Sequence, residues 1–122
     1  MSEDTITDER KSQILQQEYN KAQEVITELE SQLGSISSQL QEHLIVDQSL
    51  SSIAPEKRTN RKCFKMIGGV LVEKSIDEVI KILNDEIKQL KTEREKLNTE
   101  LTDSRKKLES WITSNKIKIV KG

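Results

Sequence analysis

Apolar residues recur along this chain with spacings that alternate three and four over two long stretches. The first stretch runs Leu15, Tyr19, Ala22, Ile26, Leu29, Leu33, Ile36, Leu40, His43, Asp47, Leu50. The second runs Ile76, Ile80, Leu83, Ile87, Leu90, Arg94, Leu97, Leu101, Ser104, Leu108, Trp111. A mean repeat of 3.5 residues holds one stripe of a helix against a partner helix, so each stretch predicts a coiled-coil strand. Between them lies Cys63-Phe64-Lys65-Met66-Ile67-Gly68-Gly69-Val70-Leu71-Val72, which follows neither repeat. Its β-branched and apolar residues favour strand, and two adjacent glycines suit a type I′ or II′ turn, where the central residues take positive φ. The expected fold is mainly α: a long antiparallel coiled-coil hairpin with one central β-hairpin.

The boundaries follow from local signals. Thr7 is placed to cap the first helix, expected over 9–53, with Asp8 and Glu9 in its first turn and a frayed segment before it. Ala54-Pro55 ends that helix, because proline excludes the preceding residue from the α region. Ser75-Ile76-Asp77-Glu78 is a capping box that opens the second helix, expected over 75–115, leaving 54–74 for the hairpin segment and 116–122 as a tail. One domain accommodates all four pieces. Two arms of matched length then fold back on each other, with Trp111 and Ile112 near Ile14 and Leu15. Gly34, inside the first helix, reads as a tolerated surface glycine or as a point of flexibility.

Charge sharpens the pairing. Residues 1–54 carry three basic and ten acidic side chains, 55–74 six and two, and 75–122 eleven and nine. An acidic first helix repels copies of itself and favours the mildly basic second helix of its own chain, although each exposed pair contributes only about 0.2–1 kcal/mol. Aromatics are 2% of the chain and charged residues 34%, which suits paired helices better than a globule with a packed core.

The hairpin poses the sharpest physical problem. An isolated two-stranded hairpin is marginal in water. This one presents Phe64, Met66, Ile67, Val70, Leu71 and Val72, each contributing roughly 1.5–3 kcal/mol when fully buried. It also has two open edges, which are templates for pairing with other strands. Assembly with other chains into a shared sheet or barrel resolves both, and Phe64, Met66, Ile67, Gly68, Gly69, Val70, Leu71 and Val72 are the expected assembly residues.

Chemistry is sparse. His43 is the only histidine and sits on the first heptad stripe with Asp47, where polar residues set register. With no second His or Cys beside it, no metal site is expected, and no cofactor. Cys63 is the only cysteine, so no internal disulfide can form, and the thiol reads as a small buried hydrophobe in a reducing compartment. Gly68-Gly69 lacks the spacing of a nucleotide-binding loop. Acidic pairs such as Asp85-Glu86 read as solvated helix surface. No catalytic constellation emerges, so the chain is not expected to be an enzyme. The basic cluster Lys57, Arg58, Arg61, Lys62, Lys65 has only Phe64 for stacking and lies between two heptad blocks, which favours edge protection or an acidic partner subunit over nucleic acid. The N-terminus has no signal-peptide pattern and no apolar run reaches membrane-span length, which points to a soluble protein of the cytosol, or of the nucleus. At the far end, Trp111, Ile112, Ile117, Ile119 and Val120, with Ile14 and Leu15, form an apolar surface rimmed by lysines. It either closes the coiled coil or contacts a partner.

The stretch Asn60-Arg61-Lys62-Cys63-Phe64-Lys65-Met66-Ile67-Gly68-Gly69-Val70-Leu71-Val72-Glu73-Lys74 resembles that of β-type prefoldin subunits. So do Ser75-Ile76-Asp77-Glu78-Val79 and Asn115-Lys116-Ile117, and the layout matches over nearly the whole chain. The resemblance implies an ATP-independent heterohexamer of α-type and β-type subunits. In it the hairpins build an intersubunit β-barrel, and the coiled-coil tips hold non-native proteins, actin and tubulin among them, for the cytosolic chaperonin. Two rivals stand beside it: a structural coiled-coil tether or scaffold subunit, and a nucleic-acid adaptor using Lys57 to Lys65.

Overall fold

The computed structural model describes residues 3–58 and 61–118, with side chains from residue 8 onward. Its elements in chain order are α1 (Glu3–Ser51), α2 (Pro55–Arg58), β1 (Lys62–Ile67), β2 (Val70–Ser75) and α3 (Ile76–Ser114). Helix α1 therefore starts ahead of Thr7, which lies inside the helix and does not cap it. No proline or glycine interrupts the sequence before Gly34, so nothing stops the helix from extending towards the N-terminus. Helix α3 opens as its sequence predicts, with the Ser75 hydroxyl accepting the Glu78 N–H at 3.2 Å.

Both heptad stripes are the inward faces. Every stripe position from Leu15 to Leu50 and from Ile76 to Trp111 is buried or half-buried, while most positions between them are exposed. The described chain clusters into two compact units, Met1–Leu33 with Lys96–Gly122 and Gly34–Glu95.

In the first unit, Ile26, Leu101 and Leu108 are buried, with Tyr19, Ala22, Leu29, Leu33, Trp111 and Ile112 packed around them. Glu18 meets Trp111 and Glu30 meets Arg105, so the two helical segments run antiparallel.

In the second unit, Leu40, Ile76 and Ile87 are buried. Proline ends α1 as its stereochemistry requires, yet Pro55 also starts the one-turn helix α2, a position where the missing N–H costs nothing. The Lys57 and Arg58 amides donate to the Ala54 carbonyl at 2.8 and 3.2 Å. This turn aims Arg58 at both neighbouring helix ends. Its Nε donates to the Ile53 carbonyl at 2.7 Å and its Nη1 to Asp77 Oδ1 at 3.0 Å. An orphan carbonyl beyond α1 and an anion in the first turn of α3 are thus held by one guanidinium.

Strands β1 and β2 pair antiparallel from Lys62↔Ser75 to Ile67↔Val70. Gly68 (φ 53°) and Gly69 (φ 81°) form the turn. Both central residues are left-handed, which selects type I′, whose twist matches that of the strands.

Candidate functional site

Cross-strand partners share a face of the sheet, so the register sorts the hairpin into two sides. One carries Phe64, Met66 and Leu71, which are 65%, 62% and 61% exposed. Lys62 and Glu73 lie on the same side and form a 2.7 Å ion pair, the hydrogen bond to Glu73, then its charge, holding the Lys62 ammonium above its usual range. The other side carries Cys63, Val72 and Lys74, which are half-buried in this unit, and Ile67 and Val70 beside the turn, which are exposed. Of the residues expected to drive assembly, only Val72 is half-buried; the others are exposed. Both outer edges of this two-stranded sheet lack a ladder partner among the described residues.

The basic cluster is largely committed within the chain. Arg58 pairs with Asp77, Lys62 with Glu73 and Lys65 with Glu86.

Glu86 corrects the sequence reading of a solvated acidic pair. It is half-buried and joins three elements. His43 Nε2 lies 2.7 Å from Glu86 Oε2, and Lys65 Nζ lies 3.4 Å from Glu86 Oε1. His43 Nδ1 lies 2.8 Å from the Gln39 carbonyl. The Gln39 carbonyl and the Glu86 carboxylate can both accept from the imidazole, an arrangement that favours its protonated form. The Gln39 carbonyl does most to raise the His43 pKa, burial opposes it, and the charges of Glu86 and Glu42 reinforce it. The hydrogen bond from His43, helped by Lys65 and opposed by burial, lowers that of Glu86. Asp47, one helical turn along the stripe, is half-buried, and its Oδ1 has no hydrogen-bond partner among the described residues.

In the other unit, Trp111 stacks on Tyr19 with ring centroids 6.3 Å apart and 30° between planes. Its indole N–H donates to Glu18 at 2.9 Å. Helix α3 ends in a Schellman turn, with the Ile117 amide donating to the Ile112 carbonyl and the Lys116 amide to that of Thr113, at 3.0 and 3.2 Å. Lys116 sits at the left-handed position, φ 52°, where glycine is usual. The turn folds Ile117 back over the helix end. Ser12, Leu15, Gln16, Tyr19, Trp111, Ile117 and Lys118 then line a hollow of about 400 Å³. Leu15, Trp111, Ile112 and Ile117 are half-buried and Ile14 is exposed. Ile119 and Val120 lie outside the described residues.

The sequence matches the prefoldin subunit family over residues 13–122. The chain belongs to that family. It is 30% identical to prefoldin subunit 2 of Saccharomyces cerevisiae over 113 residues, covering 93% of this chain and 98% of that one. It is 28% identical to the probable prefoldin subunit 2 of Schizosaccharomyces pombe over 111 residues, 91% of this chain and 94% of the relative. Human prefoldin subunit 2 is 28% identical over 102 residues, 84% of this chain and 64% of that protein. Prefoldin subunits form a chaperone family and not an enzyme family. Membership implies a heteromeric prefoldin complex, which gives the exposed hairpin of this unit somewhere to go. Among the described residues no helix is long and apolar enough to cross a membrane.

Sequence reasoning missed three features of this prefoldin subunit. The pin formed by Arg58 has no sequence signature beyond a cation after a proline. The left-handed Lys116 has none at all. The third was legible: Val79, Ile82 and Glu86 lie off the heptad stripe yet are half-buried. Their spacing of three and four is a second stripe, the face that α3 turns to the hairpin.

Proposed function

We propose that this chain is one subunit of a heterohexameric, ATP-independent holdase built with α-type and other β-type prefoldin subunits. Its hairpin joins an intersubunit β-barrel. Its coiled-coil end captures non-native proteins, actin and tubulin among them, and the complex passes them to the cytosolic chaperonin. One observation carries the reading: Phe64, Met66 and Leu71 are exposed together on a hairpin with two open edges, in a chain that belongs to a subunit family. A sheet so small cannot be satisfied alone. The hollow beside Tyr19 and Trp111 supports the capture step, because a wall that mixes apolar side chains with Ser12, Gln16 and Lys118 takes side chains with little sequence preference. Several weak contacts on separate subunits then gain by avidity.

Native mass spectrometry of the tagged subunit purified from its own cells tests assembly. A six-chain complex of different small coiled-coil subunits is expected. A homo-oligomer would bring the tether reading forward. Removing residues 111–122 tests capture: assembly is expected to survive, while suppression of aggregation of a denatured client falls severalfold. Undiminished suppression would remove the tip assignment.

A further inference from the structure

Within the unit Gly34–Glu95, an apolar groove of about 200 Å³ lies between α1, β1 and the first turns of α3. Val46, Cys63, Phe64, Val79, Ile82 and Leu83 line it. Lys65 and Glu86, which also line it, are ion-paired to each other. Val46 is 45% exposed there, although a valine off the heptad stripe has no role in the helix seam. A dry apolar cavity of about 150 Å³ already admits a benzene ring, so this groove has room for one large apolar side chain. Of the two charged groups that line it, Lys65 is paired with Glu86 and Glu86 with both Lys65 and His43, which disfavours a charged occupant.

The position of the groove says where that side chain comes from. All the sheet residues that line it belong to β1, and the edge of β1 away from β2 has no partner among the described residues. A strand added to that edge would lie roughly 4.8 Å from β1 and turn alternate side chains towards the helices. This chain's own strands show what a related hairpin offers, since β1 carries Phe64 and Met66 at alternate positions.

We propose that the groove is an assembly pocket: a neighbouring prefoldin subunit adds a hairpin strand to the free edge of β1 and seats one large apolar side chain over Val46, Val79 and Ile82. This rests on the assembly reading above and extends it from the sheet onto both helices. The hairpin of a neighbour is then held by its side chains as well as by its backbone, which fixes register, something ladder hydrogen bonds alone do poorly.

Cys63 lines the groove and is the only cysteine of the chain, so its alkylation by N-ethylmaleimide, followed on this subunit's own peptide by mass spectrometry, reports on occupancy. The rate is measured in the free subunit and in the client-free complex. In parallel, V46E and V25E subunits compete with wild type for incorporation. Val25 is similarly exposed, 52%, on the same helix but does not line the groove. The expected result is that Cys63 is protected in the complex. V46E should lose the competition by about tenfold, the size expected from one buried valine, and V25E should incorporate at par. A complex that forms normally while Cys63 reacts at the free rate and V46E incorporates at par overturns the pocket and leaves the assembly reading standing. Protection that arises only when denatured client is added assigns the groove to client and also overturns it. Failure of wild type to form any complex overturns both.

Discussion

At the scale of single residues, the polar positions on the heptad stripe behave differently from one another. His43 is bonded on both nitrogens and bridges to Glu86, whereas Asp47 Oδ1 has no hydrogen-bond partner among the described residues. The stripe in the sequence identified both positions, but not the partner of His43, because Glu86 is 43 residues away and looked like helix surface. The sign of its pH dependence follows from the geometry. The His43 pKa is raised on folding, so its contribution is complete below the ordinary histidine value near 6.5 and is lost as pH rises through the higher folded value. The Glu86 pKa is lowered, so its contribution is present above the ordinary carboxylate value and is lost as pH falls through the depressed one. Thermal unfolding followed by circular dichroism should therefore peak between those limits and decline on the alkaline side. His43→Gln should flatten the alkaline decline. An unchanged alkaline limb in that variant would refute the bridge. Lys116 offers a second test. A non-glycine residue in the left-handed region costs about 1–2 kcal/mol, so Lys116→Gly should stabilise the end of α3 by about 0.5–1 kcal/mol after glycine's own entropy is charged. Slower amide exchange at Ile117 is the check, and faster exchange would mean the Schellman turn is not the resting state.

At the scale of elements, the sequence was most legible where one physical demand dominates. Period 3.5 required two helices, and two glycines between two short apolar runs required a tight hairpin. Helix α2 was not legible, because Pro-Glu-Lys-Arg is too short to have a period, and a proline that ends one helix is equally suited to start another. The type I′ turn makes the clearest prediction at this scale. A Cβ at Gly68 would meet nothing within 4 Å, so space does not forbid a side chain there, but φ +53° does. A β-branched residue is the least tolerant of that region. Gly68→Val should cost the hairpin at least about 1–2 kcal/mol. Helical content should be unchanged, since α1 and α3 make their own contacts, while incorporation into the complex drops about tenfold. Equal incorporation of the variant and wild type would show that the hairpin is reshaped on assembly and that its free conformation is immaterial.

At the scale of the whole molecule, the number of buried side chains is the controlling quantity. Among the described residues the buried hydrophobics are Ile26, Leu40, Ile76, Ile87, Leu101 and Leu108, few for a chain of 122 residues. Meanwhile Phe64, Met66, Ile67, Val70 and Leu71 are all more than half exposed. A chain that leaves so much of its apolar surface uncovered draws on its partners for stability, and whatever binds only the folded form raises the apparent stability by mass action. The isolated subunit should unfold at low temperature, and its Tm should climb as partner subunits are titrated in. Phe64→Asp separates this from intrinsic stability. Because Phe64 is largely exposed in the free chain, its replacement should leave the isolated Tm nearly unchanged, within about 0.5 kcal/mol of stability. In the presence of partners the variant should lose most of the gain in Tm, since an aspartate carried into an apolar barrel is a buried unpaired charge. A wild-type Tm that is insensitive to partners would mean that the hairpin is already satisfied within its own chain, and the case for obligate assembly would fail with it.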